Sequence, residues 1–355
     1  MTSQSKDLAI TIDDVSPDWI TRALRSNGVE AEVDSITPLP IGTGQMCSCY
    51  RLALSYRRGT GPETLVVKLA ADDPARRTAD AFTYKCEVTF YRQIAPRVDV
   101  RIAQCYLAAL SEDGAVFTLL LEDASPARAG DQIQGCTVQQ ARDAAVNIAG
   151  LHGPLWCDAT LREMDWLIPM SPDIADLSAA FFKDSTEKFI DRYPLSGQAV
   201  DVFREFGDKS VAWWRVDPFP FTLLHGDYRL DNLLFGKPGT RDAVIAVDWQ
   251  ACMVGQPLRD VAFVAVSGLS IADRRAAERD IVGAYFDALN HYDIGDYSAE
   301  QCWQDYRLGV FHSAMITVFG AAAGKPTERG DRMFIAMAER SAAAISDLDA
   351  LSVLG

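Results

Sequence analysis

The chain has 355 residues, 48% of them hydrophobic and 23% charged, which is enough apolar material for a sizeable core and excludes a largely disordered protein. At about 150 residues per domain, this length points to two domains or two lobes. Lys and Arg number 34 against 49 Asp and Glu, a formal net charge of −15, so the basic footprint that phosphate backbones and anionic lipid surfaces require is missing. Neither nucleic acid nor a membrane is expected as a partner.

The first residues, from Met1 to Asp14, lack the basic and then apolar segments of a signal peptide, and none is expected. No apolar run reaches the ~18 residues of a membrane span. The eight cysteines are scattered without a CxxC pair and read as reduced core thiols, which points to the cytoplasm and away from zinc.

In chain order, Ser16 and Pro17 open a helix whose apolar face carries Trp19, Ile20, Ala23 and Leu24, and Asn27-Gly28 closes it. From Ile36 the pattern turns to strands. Tyr50–Ser55 and Thr64–Ala70 form a hairpin across the turn-rich Arg57 to Pro62. A helix is expected from Ala79 to Ile94, with Phe82, Cys86, Phe90 and Tyr91 as its apolar stripe. Strands near Gln104–Leu110 and Val116–Leu121 follow, making an antiparallel sheet with one helix inserted after its third strand. Beyond Thr137 helices dominate: 137–151, 174–192, 199–215, 273–289, 298–319 and 328–348. A strand-rich island at Phe221–Gln250 interrupts them. The fold class expected is α/β (α+β), with a lobe of antiparallel sheet at 1–123 and a larger, mainly helical lobe at 124–355.

The island carries the strongest chemical signal, Leu224-His225-Gly226-Asp227-Tyr228-Arg229-Leu230-Asp231-Asn232, followed by an apolar strand that ends in Asp248-Trp249-Gln250. A hairpin folded back here gathers Asp227, Asn232 and Asp248 at one end. Two carboxylates and an amide oxygen are hard ligands suited to Mg²⁺, which takes its other ligands from water and substrate phosphates. A carboxylate beside such a metal orients an attacking hydroxyl or accepts its proton. The bland alternative is that Gly226-Asp227 and Asp231-Asn232 only form turns.

Lys68 stands in the apolar strand Leu65-Val66-Val67-Lys68-Leu69, where an unpaired ammonium is costly, and Glu87 on the following helix is its natural partner. Gly42 and Gly44 lie at the turn into a hairpin, where the missing Cβ atoms let backbone N–H groups approach phosphate oxygens. Ser48 follows them.

The His225-Gly-Asp227…Asn232 and Asp248-Trp249-Gln250 segments resemble the catalytic and metal loops of the aminoglycoside phosphotransferase and choline kinase superfamily, small-molecule relatives of the protein kinases. Ala149-Gly150-Leu151-His152-Gly153-Pro154-Leu155-Trp156 resembles a helix end of its ecdysteroid-kinase-like branch. Gly255-Gln256-Pro257-Leu258-Arg259-Asp260-Val261-Ala262 resembles the segment that follows the metal loop. The resemblance runs from about Ile41 to Ala262. It implies a two-lobed, protein-kinase-like fold and transfer of the γ-phosphoryl group of ATP to a hydroxyl on a small molecule. On its terms Asp227 is the catalytic base, and Asn232 and Asp248 hold Mg²⁺. Lys68, oriented by Glu87, holds the α/β-phosphates, while Gly42, Gly44 and Ser48 line them. Leu119-Leu120-Leu121-Glu122-Asp123-Ala124 becomes the hinge, in which the Glu122 and Ala124 backbone reads the adenine edge. His225 and Asp260 are expected to brace the catalytic loop. A module of the same fold that binds nucleotide without catalysis, serving as a regulatory partner, is the alternative, and a Mg²⁺-dependent phosphohydrolase is a weaker one. No G-x-S-x-G elbow or GxxxxGK[ST] loop is present, which removes serine hydrolases and P-loop folds.

Overall fold

A computed structural model describes residues 7–42, 46–167, 172–216 and 219–354. Two compact units emerge, and each takes residues from separate parts of the chain. The first runs to Arg97 and takes in Ile102–Pro126 and Asp248–Ala251. The second comprises Val98–Arg101, Ala127–Val247 and the chain from Cys252 onward.

In the first unit, helix α1 (Pro17–Ser26) starts as expected. Ser16 Oγ accepts from Trp19 N at 3.2 Å, and Pro17 occupies the first turn. Five strands follow: β1 (Glu32–Ile41), β2 (Cys47–Arg58), β3 (Thr64–Ala70), β4 (Cys105–Leu110) and β5 (Phe117–Glu122). They form one antiparallel sheet in the order β1-β2-β3-β5-β4, so β3 is central. Alternation along β3 sends Leu65, Val67 and Leu69 into a core with Leu52, Leu120 and the α1 residues Trp19, Ile20 and Leu24. Lys68 therefore points to the other face. The helix expected over Ala79–Ile94 is broken. A short α2 (Pro74–Ala79) ends at Asp80, α3 (Ala81–Thr89) carries Glu87, and Phe90–Ile94 widens into a π turn.

The second unit contains α4 (Val138–His152), α5 (Pro172–Arg192), α6 (Gly197–Trp214), α7 (Leu258–Gly268), α8 (Ile271–Leu289), α9 (Ala299–Ala323) and α10 (Glu328–Asp347). Six of these answer the expected helices. α7 does not, and it is the buried centre of the unit: every one of its residues is buried, against α4, α8, α9 and α10. The strand island resolves into β6 (Arg128–Ala129), β7 (Thr222–Leu224), β8 (Leu233–Phe235), β9 (Val244–Ala246) and β10 (Met253–Gly255). β8 and β9 form the expected hairpin, with Leu233 opposite Ala246, and β6 joins its edge. β7 pairs with β10. Among the described residues no helix is long and apolar enough to cross a membrane.

The crossing of α9 over α7 depends on Gly309. A Cβ there would sit 2.6 Å from the Leu258 carbonyl oxygen. Gly309→Val is expected to destabilise the protein by about 1–3 kcal/mol through overpacking. Gly283 on α8 faces open space, so Gly283→Ala is expected to stabilise by about 0.5–1 kcal/mol. Urea unfolding of both variants checks the pair.

Candidate active site

The first unit assembles a buried charge triad. Lys68 Nζ donates to Glu87 Oε1 at 2.9 Å and Oε2 at 2.7 Å, and to Asp248 Oδ1 at 2.8 Å. Lys68 is 7% exposed and Glu87 2%. Three separate elements supply it: the central strand, α3 and the turn after β9. Burial disfavours the Lys68 ammonium, but the Asp248 and Glu87 charges outweigh it and hold its pKa well above the usual lysine range. Burial raises the Glu87 carboxyl, and the neighbouring Asp248 charge adds to that against the pull of Lys68.

Asp248 has φ 68°, a left-handed conformation uncommon for a residue with a side chain. Its position is fixed from both sides. Gln250 Nε2 donates to Oδ2 at 3.2 Å, and the next residue, Trp249, stacks on Phe90 of the π turn at 3.8 Å between ring centroids.

At the end of β5, Asp123 accepts from Arg51 Nε at 2.7 Å and from Ser125 Oγ at 2.9 Å, which sets the path of the expected hinge. Glu122 N–H is spent on Gln104 O at 2.8 Å. The Ala124 N–H has no acceptor among the described residues. Gly42 has φ +76°, so its place in the chain needs glycine. Ser48 lies in β2 opposite Leu69. Gly44 falls outside the described residues.

The second unit holds the loop between β7 and β8, which is built around a buried carboxylate. Asp260 at the start of α7, fully buried, accepts from His225 N at 2.7 Å and Gly226 N at 3.0 Å, and lies 3.3 Å from His152 Nε2. Burial alone would raise this carboxyl; the His152 hydrogen bond and the adjacent histidines hold it below the usual carboxylate range. From the other side, His312 Nε2 lies 2.9 Å from Gly226 O. His225 Nε2 meets Val247 O at 3.0 Å, and Val247 N–H donates to Asn232 O at 3.1 Å, so the loop is tied to the residue before Asp248.

Asp227 and Asn232 come together: Asn232 Nδ2 donates to Asp227 Oδ2 at 2.8 Å and to its carbonyl at 2.9 Å. That commits the amide nitrogen, while the amide oxygen meets no donor among the described residues. An amide oxygen and a carboxylate are each hard donors of the kind Mg²⁺ takes, with phosphates and water completing its shell. The described residues hold no cluster of three or more His, Cys, Asp and Glu side chains suited to a metal. The sequence reading missed Arg229, whose Nε lies 3.1 Å from Asp227 Oδ1 and whose Nη1 donates to Asp231 at 2.8 Å. An arginine two residues after Asp227 was the available signal.

A family model described as the phosphotransferase enzyme family matches residues 51–299. Among solved structures, the GDP complex of aminoglycoside 2'-phosphotransferase-IIIa is similar, at TM-score 0.55 and 14% identity over 92% of this chain and 98% of that one. A choline kinase from Cryptosporidium parvum Iowa II reaches 0.57 at 10% identity over 90% and 92%. These likenesses show the fold, and the protein-kinase-like arrangement expected from the sequence is the one observed. A 42-residue stretch is 45% identical to acyl-CoA dehydrogenase family member 10 of Mus musculus; it spans 12% of this chain and 4% of that relative's length.

His312 gives this site a pH signature. Burial, and then the Arg259 charge, lower its pKa to about 4. Below pH ~6.5 the unfolded chain takes up a proton that the folded His312 refuses until about pH 4. Over that window falling pH favours unfolding, by about 1.4 kcal/mol per unit for one proton. His312→Gln is expected to flatten the slope of stability against pH between those limits, measured by denaturant unfolding at stepped pH.

Proposed function

The chain belongs to the phosphotransferase enzyme family, and from that premise we propose that it moves the γ-phosphoryl group of ATP to a hydroxyl of a small-molecule acceptor, with Mg²⁺. The observation that carries this reading is the Lys68 ammonium, buried and held within 2.7–2.9 Å of Glu87 and Asp248. Structural ion pairs need one partner. A lysine with two, on the face of the central strand opposite its apolar core, is positioned to hold phosphates.

In this reading residues 1–123 hold the nucleotide and residues 124–355 carry the catalytic loop and the acceptor. Glu87 fixes Lys68, which binds the α/β-phosphate oxygens. The Gly42 turn, with Gly44 and Ser48, lines the phosphates, and the Glu122 carbonyl and Ala124 N–H meet the adenine edge. Asn232 and Asp248 hold Mg²⁺, which when bound neutralises charge on the transferring phosphates. Asp227 orients the acceptor hydroxyl and takes its proton at a carboxylate oxygen late in the transfer, while Arg229 and Asn232 fix the direction of that carboxylate. Little covalent chemistry is asked of the protein; alignment and preorganised charge supply the acceleration.

Acceptor-dependent ADP release from ATP and Mg²⁺, across a panel of small-molecule alcohols, tests the reading. Lys68→Met is expected to lower turnover about 10²–10³-fold. Asp227→Asn is expected to lower it by at least about 10²-fold while ATP affinity persists. An Asp227→Asn protein that loses stability yet turns over at the wild-type rate would reduce Asp227 to a turn former.

A further inference from the structure

Two thiols touch on the face of the sheet that carries Lys68. Cys47 and Cys49 stand two residues apart at the start of β2, so both side chains leave the same side of the strand. Their Sγ atoms are 3.9 Å apart. The register sets Cys49 opposite Lys68 and Cys47 opposite Ala70, which fixes that side as the one facing away from the apolar core of Leu52, Leu65 and Val67. Both thiols are half-buried, whereas Cys86, Cys252 and Cys302 are buried. Just before the pair, Tyr84 Oη donates to Met46 O at 2.6 Å, so α3 holds the entry to the strand.

The surroundings make the two thiols different. Cys49 accepts the hydrogen bond from the Cys47 S–H, which lowers its pKa; burial opposes this, and the Lys68 charge lowers it further. The same bond raises Cys47, which keeps its proton. A half-buried sulfur beside a cation, in contact with a second thiol, is the setting of a reactive cysteine with a resolving partner. Residues two apart on a strand have Cα atoms about 6.6 Å from each other, near the upper limit of about 6.8 Å that a disulfide spans. A bond between these two therefore bends the start of β2, the strand paired to Lys68. A disulfide under such strain is one that a thiol reductant reopens, which suits a switch better than a structural brace.

We propose that Cys47 and Cys49 are a modification site: a peroxide converts them reversibly to a disulfide within β2, and the bent strand weakens phosphate binding at Lys68. In the first step the Cys49 thiolate attacks one oxygen of H₂O₂; an S–O bond forms, the O–O bond breaks, and the hydroxide that leaves is protonated to water. The Cys47 sulfur then displaces the hydroxyl of the Cys49 sulfenic acid, and the Cys47 proton leaves with it as a second water. Two thiols and one H₂O₂ give one disulfide and two waters, with two electrons passing from sulfur to oxygen. The oxidation owes nothing to the phosphotransfer reading, while its effect on ATP rests on that reading. The structural alternative is a pair of small side chains that only pack and stay inert to oxidants.

The test treats the reduced whole chain with H₂O₂. Mass spectrometry of unreduced peptides identifies a Cys47–Cys49 bond, and titration calorimetry reads ATP affinity before treatment, after it, and after dithiothreitol. The wild type is expected to form the disulfide, to lose at least about tenfold in ATP affinity and to regain it on reduction. Cys47→Ser is expected to stop at a Cys49 sulfenic acid, which dimedone captures. Cys49→Ser is expected to give neither product at the pair and to hold its own ATP affinity through the treatment. Cys47→Ala and Cys49→Ala serve where a serine variant does not fold. A wild-type protein that forms no Cys47–Cys49 disulfide would overturn the inference. So would a disulfide that leaves ATP affinity unchanged, or an affinity lost equally in the wild type and Cys49→Ser. A reduced protein that forms the disulfide on peroxide but never binds ATP leaves the modification site standing and removes the nucleotide reading.

Discussion

One ammonium between two carboxylates organises the first unit of this protein. Lys68 with Glu87 and Asp248 sums to a single negative charge; Lys68 and Glu87 are buried, and the Asp248 side chain is 29% exposed. Taking the Lys68 and Glu87 charges out of water costs several kcal/mol each, and the attraction within the triad repays that only when the geometry is good. The rest of the first unit supplies the geometry. Alternation along β3 turns Lys68 away from its apolar neighbours, α3 delivers Glu87, and Asp248 is held in a left-handed conformation next to a tryptophan stacked on Phe90. The triad carries one surplus negative charge, and its lysine is held by carboxylates on two different elements; the proposed binding of a cation and its phosphates rests on this arrangement.

The helical unit repeats the principle with a different buried charge. Asp260 accepts two successive backbone N–H groups and a histidine, so the bend at Gly226 is fixed by electrostatics from within α7. Asp227, immediately after that bend, is then aimed by Arg229 and Asn232. In both units a buried charge on a rigid element holds a polar group that sits on a loop. The same helix carries Arg259, whose guanidinium stacks on Trp213 at 4.1 Å.

Much of this was legible from residue types alone. A lysine inside an apolar strand and a glutamate nineteen positions later imply each other, since neither is stable buried without a partner. The Asp227 to Asp248 island reads as a hairpin from its turn residues, and it forms one. What escaped reading escaped for physical reasons. α7 is buried on all sides because it is surrounded, so its apolar run Val261–Val266 lacks the one-sided periodicity that marks a surface helix. The break at Asp80 and the π turn at Phe90–Ile94 answer to tertiary packing, including the Trp249 ring, and local propensity does not encode them. The return of Asp248–Ala251 to the first unit is likewise a long-range event. Arg229 sits between two carboxylates, Asp227 and Asp231, and sequence does not show that one guanidinium spans both.

The central proposal is that Asp248, partner to Lys68, is also a ligand to Mg²⁺ when ATP binds. Titration calorimetry of ATP with and without Mg²⁺, on wild type and Asp248→Asn, tests it most directly. The account predicts that Mg²⁺ tightens ATP binding at least tenfold in the wild type and not in Asp248→Asn. An equal Mg²⁺ effect in the two proteins would contradict it.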